Sequence, residues 1–533
     1  MHVISVDVGT GSVRAALTEF DERNVGHVLS FSCQETTTFN PKPNYYEQRS
    51  EQVWTAITSC IRRCLEEAKT DQVHGIAFTA TCSLVAVDSG LENDIILWMD
   101  HRALEEAEFI TNTRLPQLNQ SGGICSPEFS VAKLLWMKRN QQKSFLTAKA
   151  FLELPDFFTW KCLGIDIDSF SPSICSLTCK WFFDAETGSW NETFVKAIDL
   201  QELFLFKDKS RIGRGSSLPG TRQGFMSSEI KKQLGISQDC NVAVASSIID
   251  AHAGVVGMLS LHVRDPETSV ESILCSIAGT STCHMVCNQS RIETQGIWGP
   301  YLNVVAKGYY VREPGQSATG KLIDFILDNP CLSVDSIQEL DMKSRRRELV
   351  DTLNDRLSNR ELTFQKLVMN PSFHGNRCPI GDSTLRGGIY GLDLEKPLPE
   401  DVYEATIESL CYETRFIIEE LKSNPKVVLV SGGLAKNSLF LRIYSDTIGV
   451  PVVAMDAGII DMMLAGTAIL ARQAVIGKDN CLESMSEVTF KDLDTLHYKP
   501  NHLKMKYHET KYKAYRIFVK AGQEMQELLN ALH

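Results

Sequence analysis

No stretch of this 533-residue chain strings together the roughly 18 consecutive apolar residues that a membrane-crossing helix needs, so no membrane partner is expected. Met1-His2 runs straight into Val3-Ile4-Ser5-Val6, without the basic region, apolar stretch and small-residue cleavage site of an export signal. The chain reads as unexported, with the cytoplasm as its expected place. Basic charge is short as well. Against 66 Asp and Glu stand 54 Lys and Arg, a net charge of −12 with a pI near 5.6. No basic field exists to attract a phosphate backbone, so nucleic acid is not an expected partner, whereas a neutral substrate, or an anion brought in with a metal ion, is compatible. No Gly-x-x-x-x-Gly-Lys-Ser/Thr phosphate loop occurs. The 16 cysteines are scattered through apolar stretches (Cys60, Cys64, Cys275, Cys411) and read as small buried hydrophobes of a reducing compartment. The one tight cluster, Cys175 to Cys179, lacks a second pair and nearby histidines, which speaks against zinc there. What is present is ordinary for a folded chain: 43% hydrophobic and 23% charged residues exclude disordered and low-complexity classes. The length is too great for one core and implies about two to four domains.

The opening reads as strands. Val3 to Val8 is rich in β-branched residues, Gly9-Thr10-Gly11-Ser12 is a turn, and Val13 to Phe20 and Val25 to Phe31 are two further strands. Ser50 caps a helix whose apolar positions Val53, Ile57, Ile61, Cys64 and Ala68 recur every three to four residues. Strands follow at Val73 to Ala80 and Leu84 to Asp88. This β-β-β-α-β order, with hairpins feeding a mixed sheet, is not the strict alternation of a dinucleotide fold. About 270 residues later the order recurs, with a strand at Val270 to Ile277, a turn at Ala278-Gly279-Thr280-Ser281 and a strand from Thr282 to Cys287. Each half closes on a strand running into a small-residue turn and a helix: Val242 to Ser247 before Asp250-Ala251-His252-Ala253-Gly254, and Lys426 to Val430 before Ser431-Gly432-Gly433. A duplicated two-domain chain is the reading, with its boundary at the polar Val263-Arg264-Asp265-Pro266-Glu267. The expected division is 1–265, 266–485 and a polar helical tail over 486–533, with 140–240 decorating the first domain. Lys343-Ser344-Arg345-Arg346-Arg347 is either an anion or targeting patch or the solvated face of a charged helix.

The polar residues fall at the ends of these strands. In Asp7-Val8-Gly9-Thr10-Gly11-Ser12 the glycines let successive N–H groups converge on an anion, and the hydroxyls add donors. Asp7 ends a buried strand and needs a partner, for which hydrated Mg²⁺ is suited; a plain hairpin with a capping aspartate is the alternative. The second turn at Gly279-Thr280 doubles the signal. Ser431-Gly432-Gly433-Leu434-Ala435-Lys436-Asn437 joins a strand to a helix over Ser438 to Ile448, without the Gly-x-Gly-x-x-Gly spacing; it either admits a ligand to the backbone or is a tight turn. Asp250 either accepts a hydroxyl proton in phosphoryl transfer or is a helix N-cap. Trp98-Met99-Asp100-His101-Arg102 suits sugar hydroxyls or is a surface loop with an internal ion pair.

Taken in order, Asp7-x-Gly9-Thr10-Gly11-Ser12, Trp98-x-Asp100-x-Arg102, Asp250-Ala251-His252-Ala253-Gly254, Gly279-Thr280-Ser281, Gly315-Gln316-Ser317 and Gly432-Gly433-x-x-x-Asn437 resemble the FGGY carbohydrate kinase family of the actin-like ATPase superfold, over residues 3 to 480. The resemblance implies an α/β, duplicated ribonuclease H-like two-domain fold with an interdomain cleft, and an ATP-dependent kinase of a free sugar or polyol. It makes Asp250 the general base, and Asp7 and Asp250 the carboxylates for Mg²⁺. Asp7, Gly9, Thr10, Gly11, Ser12, Gly279 and Thr280 would serve the phosphates, and Gly432, Gly433 and Asn437 the adenosine. Thr81-Cys82-Ser83 and Ser176 to Trp181 resemble the D-ribulokinase branch, with Thr81, Cys82, Ser83, Asp100, Lys180, Asp250, Glu313 and Gln316 on the sugar. Two departures stand out: Pro314 where that branch has glycine, and Asp461 where many relatives carry glutamate near the adenine pocket. The activity so implied is phosphorylation of D-ribulose to D-ribulose 5-phosphate. Alternatives are another pentulose or pentitol (L-ribulose, xylulose, ribitol) or a nucleotide-gated interaction protein of the same superfold. Oligomeric state is not legible.

Overall fold

A computed structural model describes residues 1–204, 210–263, 269–328, 342–358, 360, 366–393, 399–455, 460–478, 480–491 and 493–531. Strand β1 (His2–Val8) is buried from Val3 onward on both faces, as its near-continuous apolar run demands. It pairs antiparallel with β2 (Ser12–Phe20), which pairs with β3 (Val25–Glu35). Helix α1 (Ser50–Ala68) buries Val53, Ile57, Ile61 and Cys64, the residues of its 3.6-residue stripe. Ser50 is not its cap, contrary to expectation. It is the first helical residue, and Asp94 takes its N–H at 2.8 Å and its hydroxyl at 2.5 Å, supplying from outside the acceptor that Arg49 lacks.

Strand β4 (Gly75–Ala80) returns parallel to β1. The chain then forms α2 (Ser130–Asn140), α3 (Ile174–Trp181) and β5 (Arg222–Phe225). The expected strand at 242–247 proves to be two short ones, β6 (Ala243–Ala245) and β7 (Ile248–Ile249), both parallel to β4. Helix α4 (Asp250–His262) follows without a loop. The resulting order is β3-β2-β1-β4-β6-β5, with β7 against the end of β4.

The second half repeats the plan. Strands β8 (Ile273–Ala278) and β9 (Thr282–Asn288) form a hairpin, followed by α5 (Gly320–Leu327) and α6 (Pro399–Glu420). Then β10 (Val427–Ser431) runs parallel to β8, α7 (Ser438–Ile448) follows, and β11 (Val452–Ala454) adds to β10. By this pairing the counterpart of β10 is β4, the parallel neighbour of the first hairpin, and not the 242–247 segment that the sequence order suggested.

Helix α8 (Met462–Ile476) crosses α4 closely. A Cβ on Gly257 would lie 2.4 Å from the Met462 carbonyl oxygen, and one on Gly466 2.0 Å from that of Ala253. Strand β12 (Leu496–Tyr498) and helix α9 (His502–Asn530) complete the chain. The tail is no idle appendage: Tyr512, Tyr515 and Val519 of α9 pack on Tyr412 and Phe416 of α6.

The contacts gather into two compact units, Met1–Val270 with Cys287–Arg312 and Gly458–Leu493, and Glu271–Val286 with Glu313–Ala457 and Asp494–His533. The boundary expected at 265 lies outside the described residues, as does part of the charged stretch. Helix Met342–Ser358 carries its described portion, where Arg346 pairs with Asp324 (3.0 Å) and with Asp328. Among the described residues no helix is long and apolar enough to cross a membrane.

Candidate active site

In the first unit the parallel strands β1, β4 and β7 end side by side. Asp7 is in register with Thr79, and Ile248 with the same residue from the other side. The segments leaving these ends are Gly9-Thr10-Gly11, Thr81-Cys82-Ser83 and Asp250, so pairing gathers three of the expected clusters at the carboxyl edge of one sheet, where open α/β sheets bind ligands. A cavity of about 590 Å³ on this unit, lined by Asp94, Lys149, Trp160 and Lys161 among others, contains none of them.

The first hairpin is closed by Gly9 N–H to the Ser12 carbonyl at 3.0 Å. The Thr10 and Gly11 carbonyls are tied back. Thr10 O accepts from Gln48 Nε2 (2.9 Å) and Thr36 Oγ1 (3.2 Å), and Gly11 O from Thr36 N–H (3.0 Å). Trp98 Nε1–H donates to Thr10 Oγ1 at 3.0 Å. Among the described residues the N–H groups of Thr10 and Gly11 meet no acceptor, the arrangement of an anion-binding nest. In the second unit the hairpin at 279–281 is built alike. Gly279 N–H closes on the Ser281 carbonyl (2.9 Å), and the first turn of α5 takes up the Gly279 and Thr280 carbonyls through Gly320 N–H (3.0 Å) and Thr319 N–H (2.9 Å). Thr280 and Ser281 N–H have no acceptor among the described residues.

Asp7 is 2% exposed and its cross-strand neighbour is Arg14. Arg14 Nε donates to Asp7 Oδ2 at 3.0 Å, Nη2 donates to the same oxygen, and Nη1 donates to Asp461. The partner supplied for Asp7 as Mg²⁺ is thus, on one oxygen, a guanidinium. Burial pushes the Asp7 carboxyl above its ordinary range, against the opposing charge of Arg14, while the two carboxylates raise Arg14. Asp7 Oδ1 is buried without a hydrogen-bond partner among the described residues, an acceptor that suits a hydrated cation. Asp461, the second departure, caps α8 by accepting from Leu464 N–H (3.1 Å) and holds Arg14.

Asp250 is the first residue of α4 rather than its cap, which is Ile249, and its Oδ1 accepts from Ala251 N–H at 2.7 Å. The Cys82 thiol is pushed up to about 12 by burial, against the positive charge of Lys180 and with the negative charges of Glu153 and Asp250. Lys180 Nζ lies 4.7 Å from the Trp298 ring centre and 5.1 Å from that of Phe129. Thr81 and Ser83 bond to each other (3.0 Å), and Ser83 Oγ accepts Trp98 N–H (3.1 Å).

Several expected roles are revised on this geometry. Asp100 is fully buried, and both its oxygens are taken by Tyr46 N–H (2.6 Å) and by Arg102, whose Nε and Nη2 donate at 2.8 and 2.7 Å. Nothing is left for a sugar hydroxyl; the pair fixes the segment carrying Trp98. Gln316 is likewise spent. Its Nε2 donates to the Leu410 carbonyl and Glu413 (both 2.9 Å), and its Oε1 accepts from His284 (3.1 Å) and Thr414 (3.3 Å) in the core of the second unit. Glu313 pairs with Arg377 at 3.6 Å. Asn437 caps α7 through Phe440 N–H (3.0 Å) and donates to Tyr403 (2.9 Å). Gly432 has φ +96°, and a Cβ there would lie 2.7 Å from the Ala278 carbonyl oxygen, so packing against β8 requires glycine. A Cβ on Gly433 would meet nothing within 4 Å, which leaves that backbone approachable.

Three groups were missed. Arg14 was legible, because a hairpin that pairs Val8 with Val13 sets Asp7 opposite Arg14. Lys133 sits on the apolar face of α2, fully buried, with Nζ donating to the Leu97 (2.7 Å) and Trp98 (3.3 Å) carbonyls; burial lowers it to about 8. Glu153, buried at the end of a short strand, accepts from Trp181 Nε1 at 2.7 Å. A lysine within Val131-Ala132-Lys133-Leu134-Leu135 was the signal for the second; nothing marked the third.

Residues 2–257 match the model of the FGGY family of carbohydrate kinases, N-terminal domain, and residues 274–475 that of its C-terminal domain. An FGGY carbohydrate kinase domain-containing protein of Homo sapiens is 33% identical, covering 99% of this chain and 98% of its own. A D-ribulokinase of Saccharomyces cerevisiae is 32% identical over 88% of this chain and 71% of its own. A ligand-bound xylulose kinase of Lactobacillus acidophilus superposes with a TM-score of 0.79 at 17% identity, covering 98% of both chains. The fold is therefore the actin-like ATPase fold, mixed α/β and two-domain.

Proposed function

This chain belongs to the FGGY family of carbohydrate kinases, and on that premise we propose that it transfers the γ-phosphoryl group of ATP to the 5-hydroxyl of D-ribulose, yielding D-ribulose 5-phosphate and ADP. The observation that carries the phosphoryl-transfer reading is the pair of hairpins whose carbonyls are tied back and whose N–H groups at Thr10, Gly11, Thr280 and Ser281 have no acceptor among the described residues. Such donors hold phosphate oxygens without needing a basic surface, which agrees with the net charge of −12. The choice of D-ribulose rests on the similarity to the yeast D-ribulokinase.

In this reading the Asp250 carboxylate takes the proton as the sugar oxygen bonds to phosphorus and the bond to the ADP oxygen breaks. Lys180, Thr81, Cys82 and Ser83 orient the sugar, and Gly433 lets the nucleoside approach the backbone. Asp7, through Oδ1, and Asp250 would hold Mg²⁺, which when bound neutralises phosphate charge. Asp100 and Gln316 act by position only. Work in the cytoplasm, where ATP is supplied, belongs to the same proposal.

An ADP-release assay with D-ribulose, L-ribulose, D-xylulose and ribitol, run beside Asp250→Ala, tests it. Fastest turnover on D-ribulose is expected, with loss of about 10²–10⁴ in the variant. A clear preference for another member of the panel would replace the substrate. No sugar-dependent ADP release from any of them would overturn the reading.

A further inference from the structure

The cysteine pair that looked solitary in sequence acquires a histidine in the fold. Cys175 and Cys179 lie one turn apart on α3, so both thiols share a face. The first turn of α4 brings His252 to them: Cys179 Sγ and His252 Nε2 are 3.6 Å apart, and one ligand atom from each of the three residues lies within 4.8 Å of the others. All three side chains are buried. The expectation of no histidine nearby is corrected by tertiary packing.

We propose that Cys175, Cys179 and His252 bind one thiophilic divalent ion of the zinc class, bridging α3 to the start of α4. A tetrahedron with Zn–S near 2.3 Å and Zn–N near 2.0 Å has an S···N edge of about 3.5 Å and an S···S edge of about 3.8 Å. The Cys179 S···N separation already matches, and the two separations from Cys175 close by at most about 1.0 Å (S···S) and 1.3 Å (S···N). Charge selects the ion as well. Two thiolates and a neutral imidazole offset a dication completely, so a neutral assembly is buried, whereas a monovalent ion would leave a net negative charge in the core. Each thiol gives up its proton to solvent on binding. A plain thiol–imidazole hydrogen bond is the competing account of the same distance.

The site has a consequence for the neighbouring chemistry. Cys179 precedes Lys180, and His252 follows Asp250 by two residues. A bound ion ties the helix bearing the one to the helix bearing the other.

The test titrates the full reduced chain with Co²⁺ as a spectroscopic stand-in, and takes X-ray absorption spectra of the Zn²⁺-loaded protein. Intense sulfur-to-cobalt charge-transfer absorption saturating at one equivalent is expected, kept in Cys33→Ser (an exposed thiol) and lost in Cys179→Ser. The zinc shell should contain two sulfurs and a nitrogen. Absence of the charge-transfer band, its survival in the Cys175→Ser/Cys179→Ser double variant, or a shell of oxygen and nitrogen only would overturn the proposal. Should the serine variants fail to fold by circular dichroism, the zinc shell of the unaltered protein decides the matter, and it does so whatever sugar the enzyme uses.

Discussion

Replacing Glu413 by glutamine should change the sign of its effect on stability with pH. Glu413 is buried on α6; its Oε2 accepts from Gln316 Nε2 (2.9 Å) and its Oε1 from Asn376 Nδ2 (2.7 Å). Burial pushes its carboxyl up to about 7 from an ordinary 4.5. A carboxyl raised on folding binds more protons folded than unfolded, so its contribution is fully present below 4.5 and is lost as pH rises through 7. At about 1.4 kcal/mol per pH unit over that interval, the loss is roughly 3 kcal/mol. In Glu413→Gln that penalty is gone, but the new amide sets one N–H₂ against a donor, which costs about 1–3 kcal/mol at any pH. The variant should therefore unfold at lower urea than the parent at pH 5, and at equal or higher urea at pH 8. Urea midpoints at the two values measure this, with both proteins in the same buffers. An identical difference at both pH values would refute the reasoning, because it would mean that Glu413 does not change its ionisation on folding.

Gly466→Ala places a Cβ 2.0 Å from the Ala253 carbonyl oxygen, so despite alanine's better helix propensity it should destabilise by about 1–3 kcal/mol, read as a lower urea midpoint. Trp98→Phe keeps an aromatic side chain but deletes the indole N–H held by Thr10, and should raise KM for ATP up to about tenfold with a smaller change in KM for the sugar, the loss of one hydrogen bond being worth about 0.5–1.5 kcal/mol. His284 is buried beside Gln316 and lowered by burial to about 4 from 6.5. Folding thus disfavours its charged form, and stability should fall as pH drops from 6.5 towards 4, a dependence that His284→Gln would flatten in acid-unfolding curves.

How much was legible in the chain can be argued residue by residue. Strand ends carrying Gly-Thr-Gly and Gly-Thr-Ser were visible because hairpin turns use local chemistry: glycine where the backbone bends tightly, hydroxyls where it leaves the sheet. Asp250 was visible for the same reason, as a carboxylate between a β-branched run and a small-residue helix start. The family follows from the order of such signals, each weak, over nearly the whole length.

Whether a polar side chain is available to a ligand depended on partners distant in sequence. Asp100 and Gln316 looked like sugar contacts until the fold saturated them, one with the distant Tyr46 backbone beside its near neighbour Arg102, the other with His284 on β9 and three residues of α6. Asp461 lies 447 residues from Arg14 and yet shares its guanidinium. His252 and Cys179 are 73 residues apart and meet only because α3 and α4 pack. The sequence by itself determined the duplicated α/β plan, the two Gly-Thr turns and the carboxylate at the head of α4, because strand and turn preferences act over a few residues. Only the tertiary structure decided which polar groups are spent inside the protein and which remain available, since desolvation and hydrogen bonding are settled by neighbours that chain order does not predict.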